Sequence, residues 1–172
     1  MKKTKDIALI VVYTALLIGG QLALFAISGI EVVTVLLLSF AYYYGVKRSM
    51  IVAIAFSILR CFLFGFFPNV IILYLIYYPL FVIIFGAIGN GFKRAVNPAR
   101  HVIVVAIAVL CTLLFTALDD VITPLYYGMD NVQTKAYAIA SLYTVMPQVL
   151  CTIITVSTFF RPLLKIFEVV YK

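Results

Sequence analysis

The chain is built from uncharged apolar stretches close to bilayer length, and this leaves it few ways to fold. Ile7–Ile27 runs for 21 residues without a charge before Ser28-Gly29 closes it. Val32–Val46 lies between Glu31 and Lys47, Ser49–Phe67 is broken only by Arg60, and Val70–Phe92 carries Pro79. His101 to Tyr127 is apolar as far as Asp119-Asp120, and Ala136–Phe160 carries Pro147 and stops at Arg161-Pro162. In hydrocarbon no water satisfies the backbone, so such runs read as spanning helices. The pattern predicts an all-α membrane protein: one domain over 1–172, a bundle of six transmembrane helices near 6–28, 31–46, 48–66, 70–93, 101–127 and 135–160. The second is short, about 22 Å, so its Glu31 end is expected in a recess. Short connections make successive helices antiparallel neighbours.

Composition removes the alternatives. Charged residues are 11% of the 172, against about 25% in soluble domains, which excludes soluble enzymes, nucleic-acid-binding domains and disordered tails. The basic N-terminus before an apolar run resembles a signal peptide, but its apolar region exceeds the usual length, so a retained first helix is expected. Basic residues mark the cytoplasmic side of a membrane protein. Lys2, Lys3, Lys5, Lys47, Arg48, Lys93, Arg94, Arg100, Arg161, Lys165 and Lys172 fall on one side of the predicted bundle; Lys135 lies opposite and Arg60 within. Both termini are therefore expected in the cytoplasm, and the net charge of +7 reflects topology and lipid headgroups rather than nucleic acid.

Direction gives each polar residue a depth. Arg60 lies about 18 Å above the cytoplasmic end, and Asp119 and Asp120 about 27–30 Å up. Glu31, Asn69, Tyr74, Thr123, Tyr126, Tyr127, Asn131, Tyr143 and Gln148 also fall in the outer half. The inner half holds no charge. An intramembrane charge is costly and is usually paired or faces a wet cavity, and a channel or proton relay needs polar groups throughout. The pattern points to a solute pocket open outward. The candidate binding residues are Glu31, Arg60, Asn69, Tyr74, Asp119, Asp120, Thr123, Tyr127, Asn131 and Gln148. Arg60 suits an anion or carbonyl, the carboxylates suit an amine or hydroxyls, and the aromatics suit a ring face. Each has a plainer reading. Arg60 with Asp119 or Asp120 makes a structural ion pair, and neighbouring aspartates point about 100° apart so that only one readily faces the core. Glu31 reads as an N-terminal helix charge that the macrodipole favours, and Tyr42, Tyr43 and Tyr44 belong to an interfacial belt. Tyr77 and Tyr78 fit belt, packing or stacking roles.

Catalytic patterns are missing. His101 is at a helix start, Cys61, Cys111 and Cys151 stand singly as small core residues, and no phosphate loop, G-x-S-x-G or H-E-x-x-H occurs. No enzyme activity, metal or cofactor is expected. On the first helix, Ala8, Val11, Ala15 and Gly19 share one face; such small residues permit close helix contact, inside the bundle or with a partner membrane protein.

Six helices in under 200 residues, a small-residue face on the first and a polar outer half resemble the substrate-binding S-component of an energy-coupling factor (ECF) transporter. Glu31-Val-Val-Thr-Val-Leu-Leu-Leu, Gly45-Val-Lys-Arg48, and Ala55-Phe-Ser-Ile-Leu-Arg60 with Phe64-Gly65 are similar to that family's helix 2, basic turn and following outer loop. The family's Ala-x-x-x-Ala is approximated by Val11-x-x-x-Ala15 and Ala15-x-x-x-Gly19. The resemblance implies capture of a vitamin or similar micronutrient under the outer loops, in a prokaryotic plasma membrane. It also implies docking on a transmembrane coupling subunit with two ABC-type ATPases, and bodily toppling to release the ligand. Such a protein needs no polar path through itself. The competing readings are a non-transporting scaffold of the rod-shape-determining type and a self-sufficient homodimeric carrier.

Overall fold

The computed structural model describes residues 2–24, 32–92 and 96–170. Among them are six helices and no strand: α1 (Lys2–Leu24), α2 (Val33–Tyr44), α3 (Val46–Phe64), α4 (Pro68–Gly91), α5 (Pro98–Tyr127) and α6 (Asn131–Val170). Four of them, α1, α4, α5 and α6, are long and apolar enough to cross a bilayer. The 12 residues of α2 reach about 18 Å, and α3 carries Lys47, Arg48 and Arg60. Phe62, Leu125, Val132 and Tyr143 are among many large side chains left exposed. Apolar patches on that scale are uncommon on soluble monomers and suit a membrane-embedded protein.

The shortest helix is the most enclosed. Ten residues of α2, from Val33 round to Tyr44, are buried, as expected of a helix apolar on every face. It packs against α1, α3, α4 and α6, while α5 packs on α4 and α6. Contact with α4 is close because Gly86 and Gly89 remove side chains where that helix crosses the end of α2: a Cβ on Gly89 would overlap the Tyr42 carbonyl, and one on Gly86 would meet the Val46 Cγ2 at 2.6 Å. Between α2 and α3 a single residue, Gly45, reverses the chain at φ 79°, in the half of φ space that side chains disfavour. Its N–H still donates to the Ala41 carbonyl at 3.0 Å.

Proline and capping signals set most other boundaries. Pro68 and Pro98 stand in the first turns of α4 and α5, where no donor is lost, and the Asn97 side chain caps α5 by accepting from the Arg100 N–H at 2.8 Å. The predicted ends at 46, 66 and 93 give way to Tyr44, Phe64 and Gly91, and the one at 28 lies outside the described residues. The largest correction concerns α6, expected over 135–160 and found over Asn131–Val170, 40 residues or about 60 Å. Pro162 does not stop it. The cost of an interior proline, about 3 kcal/mol, is offset by burying Leu164 and Phe167, each worth about 1.5–3 kcal/mol. Phe167 closes an aromatic cluster with Tyr13, Phe40, Tyr43 and Tyr44, at centroid distances of 5.8, 6.3, 5.7 and 5.3 Å. Tyr42 and Phe160 meet edge to face at 5.1 Å nearby. At this basic end Arg48 pairs with Asp6 at 3.0 Å, and Arg100 donates to the Phe92 carbonyl at 3.1 Å. Asp119, Asn69 and Gly65 lie at the opposite end.

The α2–α4 contact yields a direct test. Gly89→Ala should lower unfolding stability by about 1–3 kcal/mol, the usual cost of overpacking, whereas Gly91→Ala, with nothing within 4 Å of the added Cβ, should stay within about 0.5 kcal/mol of the parent. Unfolding of the purified protein in detergent measures both. Equal effects would contradict the close approach.

Candidate functional site

The last turns of α5 gather the polar end of the bundle. Asp119 accepts from the Thr123 hydroxyl at 2.7 Å, one turn along the helix, and from the Tyr137 hydroxyl of α6 at 2.7 Å. Thr123 in turn accepts from the buried Asn69 amide at 3.1 Å, and the Tyr127 hydroxyl donates to the Asn69 carbonyl oxygen at 3.4 Å. Asn69, Asp119, Thr123 and Tyr127 thus form one network joining α4, α5 and α6. Asp120 is held separately, accepting from Ser141 of α6 at 3.0 Å. Both aspartates are half-buried. The expectation that only one would face inward is corrected, because α6 lies beside this face of α5 and meets both.

Hairpin geometry explains the partners. The α5–α6 turn centres on Gly128–Asp130, so α6 runs back along α5 and brings Tyr137 to Asp119 and, one turn further on, Ser141 to Asp120. Asp130 starts α6, its Oδ1 accepting from the Val132 and Gln133 N–H groups at 2.9 and 2.7 Å, while Gln133 Oε1 accepts from the Asp130 N–H at 3.2 Å. This reciprocal capping leaves Asn131 as the exposed first residue of α6, outside the network.

Arg60 does not pair with either aspartate. Its guanidinium carbon lies 4.4 Å from the Tyr74 ring centroid and 5.3 Å from that of Phe64, a cation–π arrangement. Its Nε is buried and has no hydrogen-bond partner among the described residues. The ion pair considered from the sequence is therefore replaced by an arginine between two rings. Tyr74 itself packs against Tyr78 at 4.9 Å and Phe115 at 5.8 Å.

Beneath these rings is a small cavity of about 20 Å³, lined by Thr34, Tyr77, Tyr78, Thr112, Phe115 and Gln148. Its volume suits one water, and its hydroxyl and amide groups suit one chemically. Gln148 is thus separated from the Asp119 network and sits with the start of α2 and the inward face of α4. The sequence reading omitted Tyr137, Ser141, Thr34, Thr112 and Phe115, and left Tyr77 and Tyr78 undecided. Reflecting Asp119 across Gly128 finds Tyr137, whereas Ser141 lies five residues beyond the reflection of Asp120 and has no such signal. The inward periodicity of Tyr74, Tyr77, Tyr78 and Phe81, at offsets of three, four and seven, finds the tyrosines. Glu31 lies outside the described residues.

On α1 the buried side is Tyr13, Thr14 and Leu17, and Ala8, Val11, Ala15 and Gly19 are all exposed. Val11, Ala15 and Gly19 border an apolar groove of about 470 Å³ whose other wall includes Ala55 and Leu59 of α3. The small-residue face looks away from the bundle. Among the described residues no group of three or more His, Cys, Asp or Glu is placed to hold a metal ion.

No family model matches the sequence, and comparison with curated proteins and with solved structures finds no significant match.

The Asp119–Tyr137 contact sets a measurable coupling. Asp119→Asn and Tyr137→Phe, singly and together, should give a coupling of about 0.6–1.7 kcal/mol, the range for hydrogen bonds between helices in lipid. Strictly additive losses in unfolding experiments would remove this bond from the account.

Proposed function

We propose that the protein is a membrane-embedded capture component for a vitamin or related micronutrient, of the ECF S-component type. One observation carries the reading: an arginine within the bundle is held among aromatic rings with no acidic partner among the described residues, in the same half as a polar network. A charge in that position costs several kcal/mol or more and is poorly justified as a mere tie between helices. As a ligand contact its cost is accounted for.

The rest of the proposal follows from placement. The bundle spans the membrane six times with both termini cytoplasmic, since Lys47, Arg48, Arg100, Arg161 and Lys165 gather at one end and bacterial inner faces favour such charge. The Asp119 end then faces outward in a prokaryotic plasma membrane. The basic end is closed by fully buried Phe40, Tyr42 and Phe160, which favours capture without independent conduction. Energy for release comes from partners: a coupling subunit docks on the exposed Ala8–Val11–Ala15–Gly19 face and carries two ABC ATPases, and this chain hydrolyses nothing itself.

Two outcomes follow. Vitamins and their precursors, screened against the protein in nanodiscs, should include at least one that raises its melting temperature, and Arg60→Ala should weaken that compound at least tenfold. No stabilisation by any compound at millimolar concentration would overturn the reading. Ala15→Phe should abolish co-purification of ATPase subunits from the native membrane while ligand binding is kept; retained co-purification would remove α1 as the docking face.

A further inference from the structure

Resting on the capture reading, we propose that the ligand is a planar ring carboxylic acid, its carboxylate on Arg60 and its ring among Tyr74, Tyr77, Tyr78 and Phe115, with the far ring edge toward Gln148. Three observations narrow the class this far.

The first is the division of labour between charges. Asp119 already accepts two hydroxyl hydrogens and is engaged in closing α5 on α6, while Asp120 accepts one through Oδ2 from α6, its Oδ1 buried and unpartnered among the described residues. Arg60 is engaged by rings alone, with its Nε buried and unpartnered among the described residues. At Arg60 the outstanding electrostatic demand is for an anion. A guanidinium meets a carboxylate in a planar, two-pronged geometry. A monoanion neutralises one arginine, whereas a doubly charged phosphate would leave net negative charge in the same half of the bundle as Asp119 and Asp120.

The second is continuity of aromatic surface from that cation inward. The Tyr74 ring under Arg60 contacts Tyr78 and Phe115, Tyr77 meets Phe115 at 4.9 Å, and Tyr77 and Tyr78 lie 5.2 Å apart. Offset and edge-to-face contacts to these rings reward a flat conjugated body over a flexible aliphatic one. The third is the polar floor. Thr34, Thr112 and Gln148 line the cavity beyond the rings, and a carboxamide offers both a donor and an acceptor to the heteroatoms or amine of a ring edge. The cavity of about 20 Å³ is smaller than a ring, so binding displaces tyrosine side chains. The sequence contains 12 tyrosines and no tryptophan, so intrinsic emission reports on that displacement directly.

The test uses the full-length protein in nanodiscs, with melting temperature and absorption-corrected tyrosine emission as readouts. The probes are nicotinate against nicotinamide and 4-aminobenzoate against 4-aminobenzamide, with pantothenate as an acid lacking a ring and thiamine as a ring cation. At least one ring acid should bind tenfold or more tightly than its amide and change the tyrosine emission. Arg60→Gln should collapse that ratio toward one, whereas Gln148→Leu should weaken acid and amide alike and preserve it. Arg60→Lys, keeping charge without the fork, should recover part of the preference even if Arg60→Gln is poorly folded. Preferred binding of thiamine, pantothenate or an amide overturns the ring-acid class while leaving capture standing. Failure of these probes together with every other vitamin overturns both.

Discussion

The enclosure of α2 is the constraint on which the rest depends. Its twelve residues reach about 18 Å, well short of the roughly 30 Å hydrocarbon core, and four helices enclose them. That requires glycine at the crossing with α4, where the Tyr42 carbonyl leaves no room for a Cβ on Gly89. Because α2 begins well below the Asp119 end, the surrounding longer helices continue past it. Among the described residues, their inward faces beside the start of α2 carry tyrosines, a threonine and a glutamine.

The two ends of the bundle solve different problems. At the basic end, Phe167 and Leu164 of the extended α6 seal the base of α2 together with Tyr13 and Phe40, and charges remain at the periphery as the Arg48–Asp6 pair and the Arg100–Phe92 contact. At the other end hydrogen bonds replace much of the apolar closure. An interhelical hydrogen bond in lipid contributes little by itself, so the Asn69–Thr123–Asp119–Tyr137 chain serves to position helices. Arg60 differs from that chain because its Nε is buried with no hydrogen-bond partner among the described residues. The proposed function rests on that difference.

Much of this was legible in the primary structure, for identifiable reasons. Runs of apolar residues fixed the number and order of helices, since lipid permits no other backbone solution, and Pro68, Pro98 and Gly45 marked turns through steric rules that hold in any solvent. The end of α6 was not legible: Pro162 is a stop signal locally, and only the packing of Phe167 against α2, more than a hundred residues earlier, overrides it. Depth correctly grouped Asn69, Asp119, Thr123 and Tyr127, because helices of known direction share a ruler. Depth says nothing of azimuth, so it could not separate Arg60 from the aspartates or place Gln148 with Thr34 and the α4 tyrosines. The outward face of Ala8, Val11, Ala15 and Gly19 was likewise undecidable from spacing alone, which is the same for an inward and an outward stripe.

The central claim is a solute site open to one side of the membrane and closed to the other. With Cys61, Cys111 and Cys151 replaced by serine, single cysteines at Asn131, Gln148 and Lys47 can be probed with a membrane-impermeant maleimide in right-side-out vesicles. The account predicts labelling at 131, labelling at 148 that bound ligand suppresses, and none at 47 until the vesicles are opened. Labelling of 47 in sealed vesicles, or access to 148 only after opening, would contradict it.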